Sequence, residues 1–367
     1  MGAESEGEMS EAERVAGLVD EGRLARWMDA KGLPGQGEQL TARFVSGGAS
    51  NEIFEIRRGG AHMALRRPPR LVPKGRNETM LREARVLAAL RDSDVPHARL
   101  LGVCEDVSVQ GACFYVMDWV EGWTPMGPLP EPFCSDAAAK RGLGDGLVDA
   151  IASLSRVDWR AGGLEGFGKP AGFLERQVDR WLAHLASFQF RELPGVEPAA
   201  AWLAAHTPRS FRPGILHGDY QFANVMFQHG APARMAAVVD WEMSTVGDPL
   251  LDLGWVLMGW PDPDEDRGRS GPGGDRSQGL YFDYSGMQSR ADLMQRYAQR
   301  SGLALDAIDY YIVLARFKMA CVLEGGYARY VQGGADNPKM ASFGQVVLDM
   351  ARRAAELAAT SALAATR

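Results

Sequence analysis

His217-Gly218-Asp219-Tyr220-Gln221-Phe222-Ala223-Asn224, followed shortly by Val238-Val239-Asp240-Trp241-Glu242, is the stretch on which the reading of this chain turns. Ala223 to Phe227 and Met235 to Val239 are short apolar runs. The segment Gln228-His229-Gly230-Ala231-Pro232-Ala233-Arg234 between them carries Gly and Pro turn signals. The pattern predicts a tight β-hairpin about Pro232 that sets Asn224 opposite Asp240, to within one residue of register. An amide oxygen and a carboxylate meeting at the open end of a hairpin suit a hard cation such as Mg²⁺, which leaves its other positions to water and phosphate. Asp219, in the loop just before, falls near the same point.

Composition is that of an ordinary globular protein. The 367 residues are 46% hydrophobic and 24% charged, enough for two domains or a two-lobed enzyme. A net charge of -7 argues against a nucleic-acid or anionic-membrane partner, because either needs a basic surface. Cys104, Cys113, Cys134 and Cys321 form no CxxC or Cys/His metal spacing and read as reduced thiols of a cytosolic protein. The acidic start of the chain lacks the apolar core of a signal peptide, and no apolar run approaches the ~20 residues of a membrane helix. Nothing in the sequence sets an oligomeric state.

Upstream of the hairpin, residues 1–14 read as a disordered tail, being small, polar and acidic. Residues 15–120 read as one lobe. Leu24, Trp27 and Met28 have helical spacing within Glu21 to Lys31. Three strand-like runs follow, Leu40 to Val45, Glu52 to Arg57 and His62 to Arg66. The first two are joined by the turn Ser46-Gly47-Gly48-Ala49-Ser50-Asn51, whose backbone N–H groups can approach phosphate oxygens or simply make a turn. Asn77 to Leu90 is helical, with Glu83 either solvated or paired with Arg66 on the third strand. Leu100 to Val107 and Ala112 to Trp119 complete a five-stranded sheet.

The Gly/Pro-rich segment from Glu121 to Pro132 opens a second, mostly helical lobe, residues 121–367. Leu143, Leu147, Ile151 and Leu154 form a stripe at helical spacing, and Phe173 to Phe190 and Glu197 to His206 are further helical patterns. Asp248 as cap with Pro249 at the first helical position is a helix start. Pro261 to Gln278 is a polar loop, either a cover for a substrate site or an insertion. Three helical stretches, 286–301, 306–330 and 340–359, finish the chain.

A Gly-rich turn, a strand cation, a helix Glu, Asp-x4-Asn and a later Asp are the parts that phosphoryl transfer requires. Together they resemble the aminoglycoside phosphotransferase / choline kinase-like family. Within it they look most like the small-molecule kinase domains found with acyl-CoA dehydrogenases, on the Ser-Gly-Gly-Ala-Ser-Asn turn and the Arg-Arg-Pro-Pro run. The resemblance covers nearly the whole chain and rests on His217-Gly218-Asp219-x4-Asn224, Asp240 and Gly247-Asp248-Pro249-x2-Asp252. It implies an α+β, protein-kinase-like two-lobed fold and transfer of phosphate from ATP to a hydroxyl of a small molecule. Carried over residue by residue, Asp219 would be the catalytic base, and Asn224 and Asp240 would hold Mg²⁺. Ser46 to Asn51 and Arg66 would meet the phosphates. Glu83 would position Arg66. The backbone of Met117, Asp118, Trp119 and Val120 would read adenine. The late helices carry Arg316, Glu324, Tyr327 and Tyr330, where such kinases often build the acceptor site.

The sequence departs from the family at its strand cation, commonly Lys and here Arg66, followed by Arg67. Arginine is a planar fork rather than a point charge and can meet phosphate bidentately. The alternative class is a non-catalytic nucleotide-binding module. Asp219, Asn224 and Asp240 together argue against it, and Arg66 argues for it. His217 and Asp252 read as braces of the loop, and Trp241 and Trp255 as core.

Overall fold

The computed structural model describes residues 17–47, 51–261, 282–334 and 338–365. The expected tail at residues 1–14, Gly48, Ala49 and Ser50 of the turn, and the polar loop from residue 262 onward lie outside them. The chain divides into two compact units. The first ends at Asp92 and resumes for His97–Glu121; the second takes Ser93–Pro96 and everything from Gly122.

The first unit is a five-stranded antiparallel sheet with helices. Its strands are β1 (Leu40–Gly47), β2 (Glu52–Arg58), β3 (Ala61–Arg67), β4 (Leu100–Cys104) and β5 (Phe114–Asp118), in the order β1-β2-β3-β5-β4. Helix α1 (Glu21–Ala30) starts where the Asp20 carboxylate accepts the Arg23 N–H at 2.8 Å. It buries Leu24 and Met28, one turn apart, against Phe54, Ile56, Met63, Leu65, Phe114 and Val116. Helix α2 (Arg76–Ala89) follows β3 and buries Met80, Ala84, Val86 and Leu87 together with the carboxylate of Glu83. The fourth strand stops earlier than its apolar pattern suggests. Asp106 caps the short helix α3 (Val107–Gln110) by accepting the Ser108 N–H at 2.9 Å, which diverts the chain from the sheet.

The second unit is mostly helical: α4 (Ala137–Leu154), α5 (Gln177–Ala186), α6 (Val196–Ala205), α7 (Leu250–Gly259), α8 (Arg290–Ser301), α9 (Ile308–Val331) and α10 (Pro338–Thr360). The stripe Leu143, Leu147, Ile151 and Leu154 is buried. The helical pattern over Phe173 to Phe190 yields a helix only over Gln177–Ala186. Helices α7 and α9 meet where Gly254 lies against Tyr311: a Cβ there would stand 2.6 Å from the Tyr311 carbonyl oxygen. Two small antiparallel ribbons, β6 (Gly214–Leu216) with β9 (Thr245–Gly247) and β7 (Val225–Phe227) with β8 (Met235–Val238), hold the loops of interest.

Candidate active site

The β7–β8 hairpin forms about the Pro232 turn, with Val225 opposite Val238. The Asn224 carbonyl accepts the Val239 N–H at 3.0 Å, so Asn224 stands one position from Asp240 across the ribbon. Asp240 sits at φ 66, in the left-handed region, and is the one non-glycine residue with positive φ among the described residues. A side chain held in that sparsely populated conformation is aimed by its surroundings rather than by local preference.

The loop after β6 is braced from three sides. The buried carboxylate of Asp252, at the start of α7, accepts the backbone N–H of His217 at 2.7 Å and of Gly218 at 2.9 Å. Burial pushes that carboxyl up to about 6. The His217 ring is buried, and its Nε2 donates to the Val239 carbonyl at 2.8 Å while Nδ1 accepts the Asp219 N–H at 3.3 Å. Burial drops the ring to about 4, so it is a neutral strut between the loop after β6 and the end of the β7–β8 hairpin. From α9, Lys318 Nζ donates to the Gly218 carbonyl at 2.8 Å.

These braces aim Asp219. One carboxylate oxygen accepts from Gln221 Nε2 at 2.9 Å, and the other from Asn224 Nδ2 at 3.0 Å. Burial raises the Asp219 carboxyl above the usual carboxylate range. The Lys318 ammonium and the Asn224 amide oppose the shift, and the charge of Asp240 adds to it. Asn224 Nδ2 also donates to the Asp219 carbonyl at 2.8 Å, which leaves the amide oxygen as its acceptor face. The donor set is therefore hard oxygen, with the Asp240 charge close enough to raise the proton affinity of Asp219, a repulsion that a divalent cation would relieve. Among the described residues no group of three or more His, Cys, Asp or Glu forms a metal site by itself. Asn224 and Asp240 would supply two protein oxygens, the kind of incomplete set that suits Mg²⁺ shared with phosphate and water.

In the first unit, Arg66 and Glu83 are both buried and form an ion pair, Nε to Oε2, at 2.9 Å. Tyr115, paired across the sheet with Arg66, donates its hydroxyl to Glu83 at 3.0 Å, and Asn51 Nδ2 reaches the other Glu83 oxygen at 3.4 Å. The sheet thus brings together Asn51, Arg66 and Glu83; Tyr115 joins them without having been picked out in the sequence. Arg67 points elsewhere, donating to the carbonyls of Pro68 and Leu18. Ser46 and Gly47 end β1, opposite Ile53 and Glu52. Met117 and Asp118 end β5. The Asp118 N–H is committed to the Arg99 carbonyl at 2.9 Å and the Trp119 N–H to His62 at 3.3 Å; Val120 follows.

Beside Asp219 the second unit holds a pocket of about 790 Å³. Its wall is dominated by apolar side chains, among them Met126, Phe222, Trp255, Trp260, Phe282 and Phe343. The polar contributors include Asp219, Gln221, Glu242 and Lys318. Helix α9 faces the pocket through Lys318, Met319, Val322 and Leu323. The residues singled out on that helix from sequence are used otherwise. Arg316 donates to the Met258 and Arg353 carbonyls, and Glu324 is buried in an ion pair with Arg191 at 2.6 Å. Arg191 also lies over the Tyr327 ring, 4.4 Å from its centroid, and Tyr330 is exposed. Buried glutamate and arginine on a long helix gave no sign of which face was internal packing. Lys318 carries no such sign either, because Arg316 stands two residues before it in the same apolar stretch.

A twisted five-stranded sheet carrying a buried Arg–Glu pair, followed by a helical unit with Asp-x4-Asn and a left-handed Asp, defines a kinase-like fold. The phosphotransferase enzyme family profile matches residues 41–288, and the chain belongs to that family. It is 32% identical over 353 residues to acyl-CoA dehydrogenase family member 11 of Gallus gallus, covering 92% of this chain and 43% of that protein. The chain thus spans less than half the length of this relative. A solved structure from Ralstonia eutropha, described provisionally as an aminoglycoside phosphotransferase, superposes with a TM-score of 0.79 at 30% identity, covering 95% of this chain and 99% of the other. An aminoglycoside phosphotransferase in ternary complex with ADP and hygromycin B shares the fold, with a TM-score of 0.56 at 13% identity over 92% of this chain and 98% of that one. No helix among the described residues is long and apolar enough to cross a membrane.

Proposed function

We propose that this protein is a small-molecule kinase that transfers the γ-phosphoryl group of ATP to a hydroxyl acceptor bound beside Asp219. The observation that carries this reading is the Asp219 carboxylate itself, braced by Gln221 and Asn224 and lining an open, mostly apolar pocket. Asp219 orients the acceptor hydroxyl and takes its proton as the O–P bond forms. Asn224 and Asp240 would hold Mg²⁺, which when bound would neutralise charge on the phosphates. Arg66, held by Glu83, and the turn from Ser46 to Asn51 meet the nucleotide phosphates, and the segment from Met117 to Val120 meets the adenine. The fold neighbour solved with ADP and hygromycin B supports nucleotide use of this kind.

The pocket wall supports an acceptor with an apolar body. A polycation would want clustered acid, whereas this wall sets Lys318 and many apolar side chains beside its few acidic groups. The test is ATP consumption across a panel of hydroxylated metabolites, with Asp219→Asn as control. The variant should bind Mg-ATP as the wild type does and lose transfer by a factor of about 10² to 10⁴. Unchanged turnover would reject Asp219 as the base. Stabilisation of the wild type by Mg-ATP, without transfer to any acceptor, would favour a non-catalytic nucleotide-binding module instead.

A further inference from the structure

The wall of the pocket beside Asp219 is rich in one residue type. Four of the 22 residues that line it are methionines, against 16 of 367 in the chain, about a fourfold enrichment. They arrive from four separate segments. Met126 lies in the Gly/Pro-rich segment, Met243 just after Asp240, Met258 on α7 and Met319 on α9. Met258 is buried, whereas Met126 and Met319 are half-buried and Met243 is 45% exposed. Filling a gap in the core accounts for Met258 but not for three side chains that open onto the cavity. Another part of the wall is built differently. Phe222 and Phe282 stack with centroids 3.9 Å apart, Tyr284 meets Trp260 edge-on at 5.0 Å, and Trp260 Nε1 donates to the Gln288 carbonyl at 2.8 Å. Those rings hold one another in place. A methionine is unbranched, with three rotatable bonds and a polarisable sulfur, and it adapts to the shape beside it.

We propose that Met126, Met243 and Met319 are the specificity-determining residues of this pocket and make it adaptable: it takes hydroxylated molecules whose apolar bodies differ in shape, straight, branched or cyclic. Flexible Met-rich surfaces bind several partners by repacking, whereas branched and aromatic walls select by fixed shape. The aromatic cluster stays in place, and the three thioethers repack around the body that enters. The inference rests on the kinase reading for the hydroxyl that Asp219 meets, but adaptability is a property of binding and is measured without ATP.

The test uses the whole chain, labelled with carbon-13 at the methionine methyls, and three saturated alcohols of equal carbon number: hexanol, neohexyl alcohol and cyclohexanol. The carbon shift of each methyl reports the rotamer at its thioether, and saturated probes bring no ring current. Met126→Leu, Met243→Leu and Met319→Leu, made singly, assign the three signals. Every alcohol should move these signals in the wild type, and each alcohol to different positions. The triple Met→Leu variant keeps the apolar volume and loses the flexibility. Relative to wild type, its Kd should stay within about twofold for one alcohol and rise at least about tenfold for another. Taking each Kd as a ratio to the wild type's cancels the different hydrophobicities of the probes. If the triple variant does not fold, the wild-type carbon shifts decide. Signals unmoved by saturating alcohol, or driven to the same positions by all three, overturn the proposal. So does a folded variant whose Kd changes by one common factor. Phosphate transfer with the three signals unmoved rejects this inference alone; adaptive binding without transfer to any acceptor rejects the kinase reading alone.

Discussion

Glu83 holds Arg66 at 2.9 Å with both side chains buried in the first unit. A buried ion pair loses far more when one partner is removed than it contributed to stability, because the remaining charge is left desolvated. Glu83→Gln should therefore lower unfolding stability by about 3 kcal/mol, read by denaturant titration. It should also raise the KM for ATP, since the guanidinium is no longer aimed. Arg66→Lys keeps the charge and gives up the planar fork; it should retain stability better than Glu83→Gln while weakening nucleotide binding. A variant Glu83→Gln with wild-type stability would contradict the buried pair.

Lys318 offers a separation of rate from nucleotide affinity. Its charge is faced by Asp219 from the loop after β6, Asp252 from α7 and Arg180 from α5. Burial lowers the ammonium to about 8, and the two carboxylates oppose that shift. Lys318→Met should reduce kcat and leave the KM for ATP unchanged. Because Lys318 favours the ionised form of Asp219, its loss should move the acid limb of the pH–rate profile upward. A profile that falls uniformly without shifting would assign Lys318 to packing alone.

The neutral His217 strut makes a stability prediction with a definite sign. Its folded pKa, about 4, lies below the ordinary 6.5. Between those values the unfolded chain binds a proton that the folded one does not. Stability from this group is thus complete above about 6.5 and is lost as pH falls through 4. His217→Gln removes the titration. The wild type should lose up to about 3 kcal/mol relative to that variant over this window, measured by urea unfolding at stepped pH. A gap independent of pH would show that His217 is not buried neutral.

Asp240 combines a charge with an unusual backbone conformation, and the two can be separated. Asparagine tolerates the left-handed region about as well as aspartate, whereas a β-branched residue does not. Asp240→Asn should therefore fold normally and require at least about tenfold more Mg²⁺ for half-maximal turnover, consistent with the loss of a charged ligand. Asp240→Val should be destabilised in addition, by about 1–3 kcal/mol. Equal Mg²⁺ dependence in Asp240→Asn and wild type would remove Asp240 from the metal site.

Much of this site was legible because its chemistry is local in sequence. The Pro232 turn and two apolar runs were enough to place Asn224 beside the residue preceding Asp240. For Glu83 the sequence leaves open a solvated charge or a partner of Arg66, and the buried ion pair decides for the second. What escaped were contacts whose partners lie far apart. Lys318 is 100 residues from the carbonyl it binds, and nothing near it in sequence marks which face of α9 is the pocket. Trp255 reads as core because most tryptophans are; in the structure it is buried and also lines the pocket beside Asp219. The apolar pattern extends the fourth strand to Val107, whereas the side-chain cap at Asp106 ends it at Cys104.

The division of the chain at Glu121 is less clean in sequence than in space. Ser93–Pro96 belongs with the second unit, and the Pro96 carbonyl accepts the Val238 N–H at 2.8 Å, two residues before Asp240. Trp123, just past the division, exchanges backbone hydrogen bonds with Phe227 at 2.9 and 2.8 Å. A chimera that swaps halves between two members of this family at residue 121 would therefore transplant the β7–β8 hairpin without one of the segments of chain that secures it. A recombination that carries residues 93–96 along with the helical half should keep the hairpin's backbone paired, which makes a four-residue loop in the first half a heritable part of the second.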